Sequence, residues 1–310
     1  MYMPNSPAGT LPFFKYHGLG NDFVVIDALA QPALLKRNWH KIASQLCNRQ
    51  FGVGADELLL ICKAAKPHDV TMRVFNADGT DGGMCGNGIR CIAKHMVERH
   101  AFARETLHVG VFDVGARSIR IVKKSRAFVA AEVDMGEPLL SPSRVPCSLS
   151  LVNTSHDNQP AVVDAALPAA LRKQLGDAAR HVSAMTCVSM GNPHAVLWCK
   201  EPTRELVAAA GPVLQRSPHF PQSVNVHVAC VTSRTRALMW TYERGSGVTL
   251  ACGTGACAVL VAGVVANKLV HTAAVQVPGG PLRVRWDKAI NHVFKQGPAA
   301  FVFAGTYAPR

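Results

Sequence analysis

The chain has 310 residues, and its 48% hydrophobic content is ordinary for a globular protein and excludes a disordered chain. Lysine and arginine outnumber aspartate and glutamate by 33 to 20, but no stretch of the sequence concentrates the formal net charge of +13 as a site for anionic partners would require. Aromatic residues make up only 6%, and no nucleic-acid-binding motif accompanies the charge. We therefore interpret the charge as a solvated basic surface and expect no nucleic-acid partner.

A length above the usual single-domain range predicts two domains, and the first half of the chain has the pattern of a sheet with few helices. Alternating apolar residues and β-branched residues predict the strands, while helical periodicity predicts the helices. The predicted strands are 13–17, 23–27, 58–62, 71–75, 107–112, 118–122 and 128–134, and the predicted helices are 34–48 and 89–99. A stretch rich in proline and serine at 136–146 then predicts a linker.

The second half repeats this order of elements. Its predicted strands are 182–188, 195–199, 224–230, 237–242, 275–277, 282–286 and 301–303, and its predicted helices are 167–179, 203–214 and 254–268. Many strands with a helix inserted among them predict an α+β fold rather than a regular βαβ series. Because both halves share the order, we expect a pseudo-symmetric protein with its site in the cleft between two domains.

One short motif occurs once in each half. Cys85 is followed by Gly-Asn-Gly and Cys252 by Gly-Thr-Gly, and an apolar run comes after each. A cysteine just before a helix start lies against unpaired N–H groups and the positive end of the helix dipole. This environment predicts a thiol pKa below its free value of about 8.5. One such cysteine indicates a nucleophile, but two in symmetric settings indicate a pair of proton carriers.

The ten cysteines predict neither a disulfide framework nor a metal site. No Cys-x-x-Cys pair occurs, and the spacings 85/91 and 252/257 are too wide for the common zinc patterns. No export signal is visible at the start of the sequence, and the longest apolar stretch, 256–266, is too short to cross a bilayer. We therefore expect a cytoplasmic location, reduced cysteines, no bound metal and no membrane partner.

Two thiols that face one another suit the inversion of a carbon centre. One thiolate removes a proton from one face of the carbon, and the other thiol returns a proton to the opposite face. Proton removal beside a carboxylate develops negative charge that needs fixed hydrogen-bond donors. The candidate donors are the backbone N–H groups at the two helix starts, those of Gly86, Asn87, Gly253 and Thr254.

Further motifs lie around and between the two cysteines. With the cysteine segments, they occupy residues 15–23, 49–56, 75–79, 84–90, 189–194, 224–225, 242–245, 249–256 and 278–280. Together they span nearly the whole chain and resemble the diaminopimelate epimerase family. A single Cys-Gly-x-Gly is weak evidence, but two of them with Gly-Asn-Pro-His and Glu-Arg-Gly between them are highly specific.

The resemblance implies a fold, a reaction and a partner. The fold is α+β with two pseudo-symmetric domains, 12–138 and 147–305, each a mostly antiparallel sheet wrapped around a central helix. The reaction interconverts LL- and meso-2,6-diaminopimelate, with Cys85 and Cys252 as the two catalytic bases and no cofactor, pyridoxal phosphate included. The only ligand expected is the small-molecule substrate, and the protein is expected to be a homodimer.

The resemblance also assigns roles to side chains at matching positions. His194 and Glu243 are expected to tune the ionisation of the thiols. Arg244 presents a planar fork suited to the distal carboxylate, and Glu243 accepts from an ammonium group. The amides expected to contact the amino acid headgroups are those of Asn21, Asn76, Asn192 and Asn225.

Glu57 departs from the family pattern, in which a neutral glutamine that contacts substrate occurs at this position. A carboxylate there favours an ammonium group and disfavours a carboxylate. The substrate contact expected at Glu57 therefore differs in charge from that of such relatives.

Two other interpretations stay open at this point. A proline or hydroxyproline racemase of the same fold also uses two cysteines, but its small cyclic substrate has no distal amino acid group for Glu243 and Arg244 to hold. A catalytically silent ligand-binding relative or a thiol redox sensor is the other alternative. The intact pair Cys85 and Cys252 argues against the silent protein, and oxidation to a disulfide requires that the two cysteines come close enough.

Overall fold

The computed structural model describes residues 9–112, 115–124, 127–149, 153–154 and 160–309. The chain divides into two compact units, a first unit made of residues up to 134 and from 296 onward, and a second unit of residues 135–295. The domain limits expected from the sequence, 12–138 and 147–305, stay a prediction, and the units differ from them at the end of the chain. There the last strand pairs with the first strand, so residues after 295 return to the first unit.

In its described residues the first unit contains eight strands and two α-helices. The strands are β1 (Leu11–Gly18), β2 (Asn21–Asp27), β3 (Glu57–Lys63), β4 (Val70–Asn76), β5 (Thr106–Val111), β6 (Gly115–Lys124), β7 (Ala127–Asp134) and, at the end of the chain, β18 (Ala300–Tyr307). The helices are α1 (Trp39–Leu46) and α2 (Gly88–Arg99), and a 3₁₀ helix (Pro32–Lys36) precedes α1.

The strands of the first unit lie in the order β7-β6-β5-β4-β3-β2-β1-β18. The pairs β2–β3 and β4–β5 are parallel, and the other described pairs are antiparallel. Helix α2 packs against β1, β2, β6, β7 and β18, and it buries an apolar stripe that includes Ile89, Ile92 and Met96. It is the central helix of this unit.

The described part of the second unit contains the remaining strands and three α-helices. The strands are β8 (Asn153–Thr154), β9 (Pro160–Ala161), β10 (Val182–Ser189), β11 (Pro193–Cys199), β12 (Asn225–Ser233), β13 (Arg236–Glu243), β14 (Gly247–Thr249), β15 (Thr272–Val277), β16 (Gly280–Asp287) and β17 (His292–Gly297). The helices are α3 (Ala169–Leu175), α4 (Arg204–Gln215) and α5 (Gly253–Val265), and a 3₁₀ helix (Gly176–His181) follows α3.

The second unit repeats the topology of the first. Its strands lie in the order β10-β11-β12-β13-β15-β16-β17, and the parallel pairs β11–β12 and β13–β15 match the parallel pairs of the first unit. Helix α5 corresponds to α2 and contacts β10 to β13, β15 and β16, with 11 of its 13 residues buried. A helix that is apolar on all sides belongs inside a core, which explains why α5 consists mostly of alanine, valine and glycine. The predicted α+β class is confirmed.

Two predicted helices are divided in the structure, and four of the described strands, β8, β9, β14 and β17, were not predicted. The helix predicted over 34–48 begins instead with a 3₁₀ turn, and α1 starts afresh at Asn38, whose side chain accepts from the N–H of Lys41. The helix over 167–179 ends at Gly176, whose φ of +56° breaks the α-helical path. Strand β17 carries no strong alternation and was not predicted.

Gly211 of α4 gives a stability test of the packing between helix and sheet. A Cβ at this position would lie 2.2 Å from the ring of Tyr242, so the helix approaches β13 through the missing side chain. Alanine normally stabilises a helix interior by about 1 kcal/mol relative to glycine. Here we expect Gly211→Ala to lower the free energy of unfolding by about 1–3 kcal/mol, because overpacking outweighs the gain in helix propensity.

Chemical denaturation followed by circular dichroism measures this difference. The matched control is the double variant Gly211→Ala with Tyr242→Leu, compared with Tyr242→Leu alone. Without the ring, the alanine should be neutral or stabilising. An alanine that destabilises equally in both backgrounds would contradict the packing explanation.

Candidate functional site

Cys85 lies in the first unit immediately before α2. Its Sγ accepts the backbone N–H of Gly88 at 3.4 Å, the third residue after it, and it lies 3.9 Å from Oδ1 of Asn21. The same amide oxygen accepts from Nδ2 of Asn87 at 3.0 Å. The sulfur is therefore held between the start of α2 and the first residue of β2.

Cys252 has the equivalent position in the second unit, as the N-cap of α5. Its Sγ accepts the N–H of Gly255 at 3.3 Å, again the third residue after the cysteine, and lies 3.6 Å from Oγ1 of Thr254. The residue is buried, with 2% of its surface exposed. The local geometry of the two Cys-Gly-x-Gly segments is thus repeated, as the sequence pattern predicts.

Both thiols have raised pKa values, opposite to the direction expected from the helix starts alone. For Cys85 burial raises the pKa most, the carboxylate of Glu57 raises it further, and the N–H groups of Gly88 and Asn87 lower it by less. For Cys252 burial again acts most strongly, followed by the carboxylate of Glu243. The expectation of two stabilised thiolates is wrong, because desolvation and a neighbouring negative charge outweigh the N–H groups.

The strand register explains why each cysteine has one carboxylate neighbour. In the first unit, Glu57 at the start of β3 pairs with Asn76 at the end of β4. In the second unit, the register of β12 with β13 continues from the Val226–Tyr242 pair to place Asn225 opposite Glu243. The two units therefore have the same pair of residue types at the same place, with the carboxylate and the amide exchanged between strands.

Asn21 is fixed by a network of charged residues for which no role was predicted from the sequence. Its Nδ2 donates to Oδ2 of Asp56 at 2.8 Å, while Arg49 bridges Asp56 and Asp22 through bonds of 2.7 Å to each. Lys15 also donates to Asp22 at 2.7 Å. Burial opposes the charge on Asp22, but the bonds from Arg49 and Lys15 outweigh it and lower its pKa. The signal was present, since all four network residues lie in the quoted motifs.

The other predicted amides of both units also bond to protein atoms. Asn76 donates through Nδ2 to the hydroxyl of Thr80 at 2.9 Å, within the turn after β4. Asn225 accepts the N–H of Arg244 at 2.9 Å and donates to the carbonyl of Pro193 at 3.1 Å. The substrate contacts predicted for these amides stay predictions, and each amide also fixes the backbone around it.

The guanidinium of Arg244 is exposed at the end of β13. One of its nitrogens donates to the carbonyl of Gln222 at 2.9 Å, and within the described parts of the chain no carboxylate pairs with it. The neighbouring Glu243 accepts from the hydroxyl of Thr249 through Oε1. A fixed arginine with unused donors is the group that a ligand carboxylate requires.

His194 is buried on β11 and bonds to two polar side chains. Its Nε2 lies 2.8 Å from Oδ1 of Asn192, and its Nδ1 lies 2.9 Å from Nε2 of His227 on the neighbouring strand β12. The predicted influence of His194 on a thiol stays a prediction. His227 was missed, because a histidine within an apolar strand reads as a core residue.

One cluster in the described residues brings metal-ligand types together. Asp27, His95 and His100 place one potential ligand atom each within 4.8 Å of one another, at the end of α2 away from Cys85. Both histidines bond through Nε2 to the same carboxylate oxygen, at 3.2 and 2.6 Å, and Nδ1 of His95 lies 3.1 Å from the hydroxyl of Tyr16. These bonds tie the end of α2 to β1 and β2.

The fold is shared with several solved structures. A PhzF-family phenazine biosynthesis protein from Bacillus anthracis is 15% identical with a TM-score of 0.64, and the match covers 96% of this chain and 99% of that one. A hydroxyproline epimerase from Agrobacterium vitis is 13% identical with a TM-score of 0.65, covering 96% and 92%. At these identities the likeness defines the fold class alone.

Sequence comparison identifies the family to which the chain belongs. The diaminopimelate epimerase family model matches residues 13–140 and 186–302. A diaminopimelate epimerase from a Synechococcus species is 40% identical over 303 residues, covering 96% of this chain and 98% of that protein, and one from Nostoc punctiforme is 37% identical over 297 residues, covering 95% and 99%. The chain belongs to the diaminopimelate epimerase family. Among the described residues, no helix is long and apolar enough to cross a membrane.

The two carboxylates predict measurable changes in thiol ionisation. Glu57→Gln should lower the pKa of Cys85, and Glu243→Gln should lower that of Cys252, because each carboxylate disfavours the adjacent thiolate. At pH values below the thiol pKa of both the variant and the unmodified protein, alkylation of the affected cysteine by iodoacetamide should be about tenfold faster in the variant. Mass spectrometry of the peptide that contains this cysteine measures the rate.

Glu205→Gln is the matched control, since Glu205 is an exposed carboxylate in the first turn of α4. It should leave both alkylation profiles unchanged. An unchanged or raised thiol pKa in the Glu57 or Glu243 variant would show that its carboxylate does not act on the cysteine.

Proposed function

We propose that the protein interconverts LL- and meso-2,6-diaminopimelate without pyridoxal phosphate, with Cys85 and Cys252 as its two bases. The observation that carries the proposal is the repeated site, in which each cysteine sulfur accepts an N–H at the start of a buried helix and has a carboxylate beside it. Membership of the diaminopimelate epimerase family supports the substrate and the independence from pyridoxal phosphate.

The raised thiol pKa values suit the difficulty of the reaction. A thiol proton passes to the adjacent carboxylate, Glu57 or Glu243, and leaves a thiolate. Because its conjugate thiol has a raised pKa, this thiolate is a stronger base than one stabilised by the helix alone. The thiolate takes the α-hydrogen of the substrate, and the electron pair stays on the α-carbon and its carboxylate. The thiol of the other cysteine then gives its proton to the opposite face of that carbon.

The starts of α2 and α5 provide donors for the charge that develops on the carboxylate. The first N–H groups of a helix have no acceptor within it, and at α5 these belong to Gly253 and Thr254. Gly86 and Asn87 precede α2 in the same way. Glycine leaves the backbone open to close approach by a ligand. These four residues are the proposed carboxylate site.

The distal end of the substrate needs a different set of groups. Arg244 offers unused guanidinium donors for the distal carboxylate, and Asn192, Asn225 and Asn76 are proposed to contribute amide contacts. Glu243 is proposed to accept from an ammonium group in addition to acting on Cys252. The predicted contact of Glu57 with substrate is proposed alongside its interaction with Cys85.

The runner-up is a proline or hydroxyproline racemase of the same fold. The solved hydroxyproline epimerase is only 13% identical, whereas relatives named diaminopimelate epimerase reach 40%. The exposed Arg244, without a carboxylate partner in the described residues, also favours a substrate with a second carboxylate. A homodimer in the cytoplasm stays a prediction supported by family membership.

Exchange of the α-hydrogen tests the reaction directly. In D₂O the reduced protein should incorporate deuterium at the α-carbons of diaminopimelate, as measured by proton NMR. Cys85→Ala and Cys252→Ala should each lower the rate of epimerisation by about 10²- to 10⁴-fold, the usual contribution of a positioned acid or base. Cys230→Ala, which removes a buried cysteine from β12, is the control and should remain active.

Exchange on proline but not on diaminopimelate would favour the racemase. Full epimerisation activity in either the Cys85 or the Cys252 variant would overturn the two-base mechanism.

Arg244 tests the recognition of the distal group. Arg244→Gln should raise KM for diaminopimelate roughly 10- to 100-fold, since a hydrogen bond to a charged group contributes about 1.5–3 kcal/mol. Exchange on lysine, which lacks the distal carboxylate, should be equally slow in the variant and the unmodified enzyme. Arg236→Gln, at the exposed start of β13, should change neither value. Equal losses on both substrates would assign Arg244 a structural role instead.

A further inference from the structure

A chain of three polar side chains crosses the second unit beneath the start of α5. It runs from His227 on β12 to His194 on β11 and then to Asn192, with contacts of 2.9 and 2.8 Å. Both histidines are fully buried. Burial lowers the pKa of His194 well below its usual range and that of His227 to about 3, so both imidazoles are neutral at the pH of the cell.

Each of the two neutral imidazoles carries one ring N–H hydrogen. Only one placement of these hydrogens lets the amide oxygen of Asn192 accept a hydrogen bond from His194. The amide oxygen Oδ1 only accepts, so Nε2 of His194 carries the hydrogen and Nδ1 is an acceptor. His227 must then donate from its Nε2. Its Nδ1 becomes a bare lone pair, and within the described residues this buried atom has no hydrogen-bond partner. If Nδ1 of His194 instead donated to Nε2 of His227, Nδ1 of His227 would carry a hydrogen and be a buried N–H group without an acceptor. Buried N–H groups without an acceptor are rarer than buried acceptors without a donor.

The direction of the chain decides what Asn192 can offer to a ligand. Its amide oxygen is occupied by His194, so the NH₂ group remains as its donor. An NH₂ group suits a carboxylate and not an ammonium group. Because amide nitrogen and oxygen have nearly the same shape, packing alone does not choose between the two orientations, and the hydrogen bonds must do so.

We propose that His227 is a positioning residue, whose Nε2–H holds His194 in the tautomer that turns the Asn192 amide toward the substrate carboxylate. This assignment rests on the proposed function. His227 also contacts the start of α5, because a Cβ at Gly255 would lie 2.4 Å from its Cε1 and 3.0 Å from Sγ of Cys252. The side chain that orients Asn192 therefore packs against the same turn that holds the catalytic sulfur.

A pair of variants separates the donor from the packing. His227→Leu removes the Nε2–H, whereas His227→Gln retains an N–H donor at a similar reach. We expect His227→Leu to raise KM for diaminopimelate roughly tenfold, equivalent to about 1.4 kcal/mol, with a smaller change in kcat. His227→Gln should recover most of the loss. A lowered kcat with an unchanged KM, or no recovery by glutamine, would overturn the proposal.

Thr241→Val is the matched control for loss of a buried polar group. Thr241 lies opposite His227 in the strand register, and its hydroxyl has no hydrogen-bond partner in the described residues. The variant should leave KM unchanged. A rise equal to that of His227→Leu would show that disturbing the polar layer, rather than losing the donor, causes the effect.

Nitrogen-15 NMR of histidine-labelled protein tests the tautomers without reference to activity. Long-range nitrogen–carbon-bound hydrogen correlations should show Nε2–H on both His194 and His227. His227→Leu removes the donor. In this variant the nitrogen-15 chemical shift of Nδ1 of His194 should move to the value of an unprotonated nitrogen that accepts no hydrogen bond. A protonated Nδ1 on His194 would overturn the assignment even if the enzyme is an active epimerase. The expected tautomers with no turnover of diaminopimelate would instead contradict the proposed function.

Discussion

The hydrogen bond from a backbone amide to the sulfur three residues before it is the contact on which both half-sites depend. It requires a cysteine at a helix start and a glycine where the chain turns beneath it. At Gly255 any side chain would meet His227, and at Gly88 it would meet Leu59. The helix that follows packs against its sheet in both units, so Cys252 is buried and Cys85 is partly buried. Burial raises the pKa of both thiols, and in the proposed mechanism the proton stays on sulfur until the adjacent carboxylate receives it.

The exchange of carboxylate and amide between the two strand pairs makes the two half-sites similar but not identical. Glu57 lies on β3, the third strand of the first unit, whereas Glu243 lies on β13, the fourth strand in the sheet of the second unit. Both arrangements place one acid and one amide opposite each other at one end of a pair of neighbouring strands. A two-base isomerase must treat two mirror-related hydrogens alike while it binds the rest of a substrate that is not symmetric. In the proposed mechanism, two similar sulfur sites with exchanged neighbouring residues meet both demands.

Much of the fold was predictable from the sequence, because its strands alternate and its helices follow strong start signals. The two Cys-Gly-x-Gly segments located both helix starts within one or two residues. Strand order was not predictable, since the pairing of β18 with β1 joins segments almost 290 residues apart and leaves no local pattern. The direction of the thiol pKa shifts was missed for a similar reason. The N–H groups that lower the pKa are adjacent in sequence, whereas Glu57 and Glu243 reach the sulfur only through the strand register.

The same distinction applies to individual site residues. The roles of Arg244 and of the asparagines were expected from the family motifs, but their protein partners were not, because those partners come from neighbouring strands. His227 carried no signal at all. Its polar role depends on His194 lying beside it across the parallel pair β11–β12, and no spacing within the sequence shows that contact.

The return of the chain to its first strand has a consequence for synthesis on the ribosome. Residues 135–295 form a compact unit that is complete before β18 emerges, whereas one edge of β1 stays unpaired until residues 300–307 appear. An unpaired strand edge is a template for association with other chains. The unit that begins first is thus finished last, and its nascent form needs protection for as long as the second unit takes to be made.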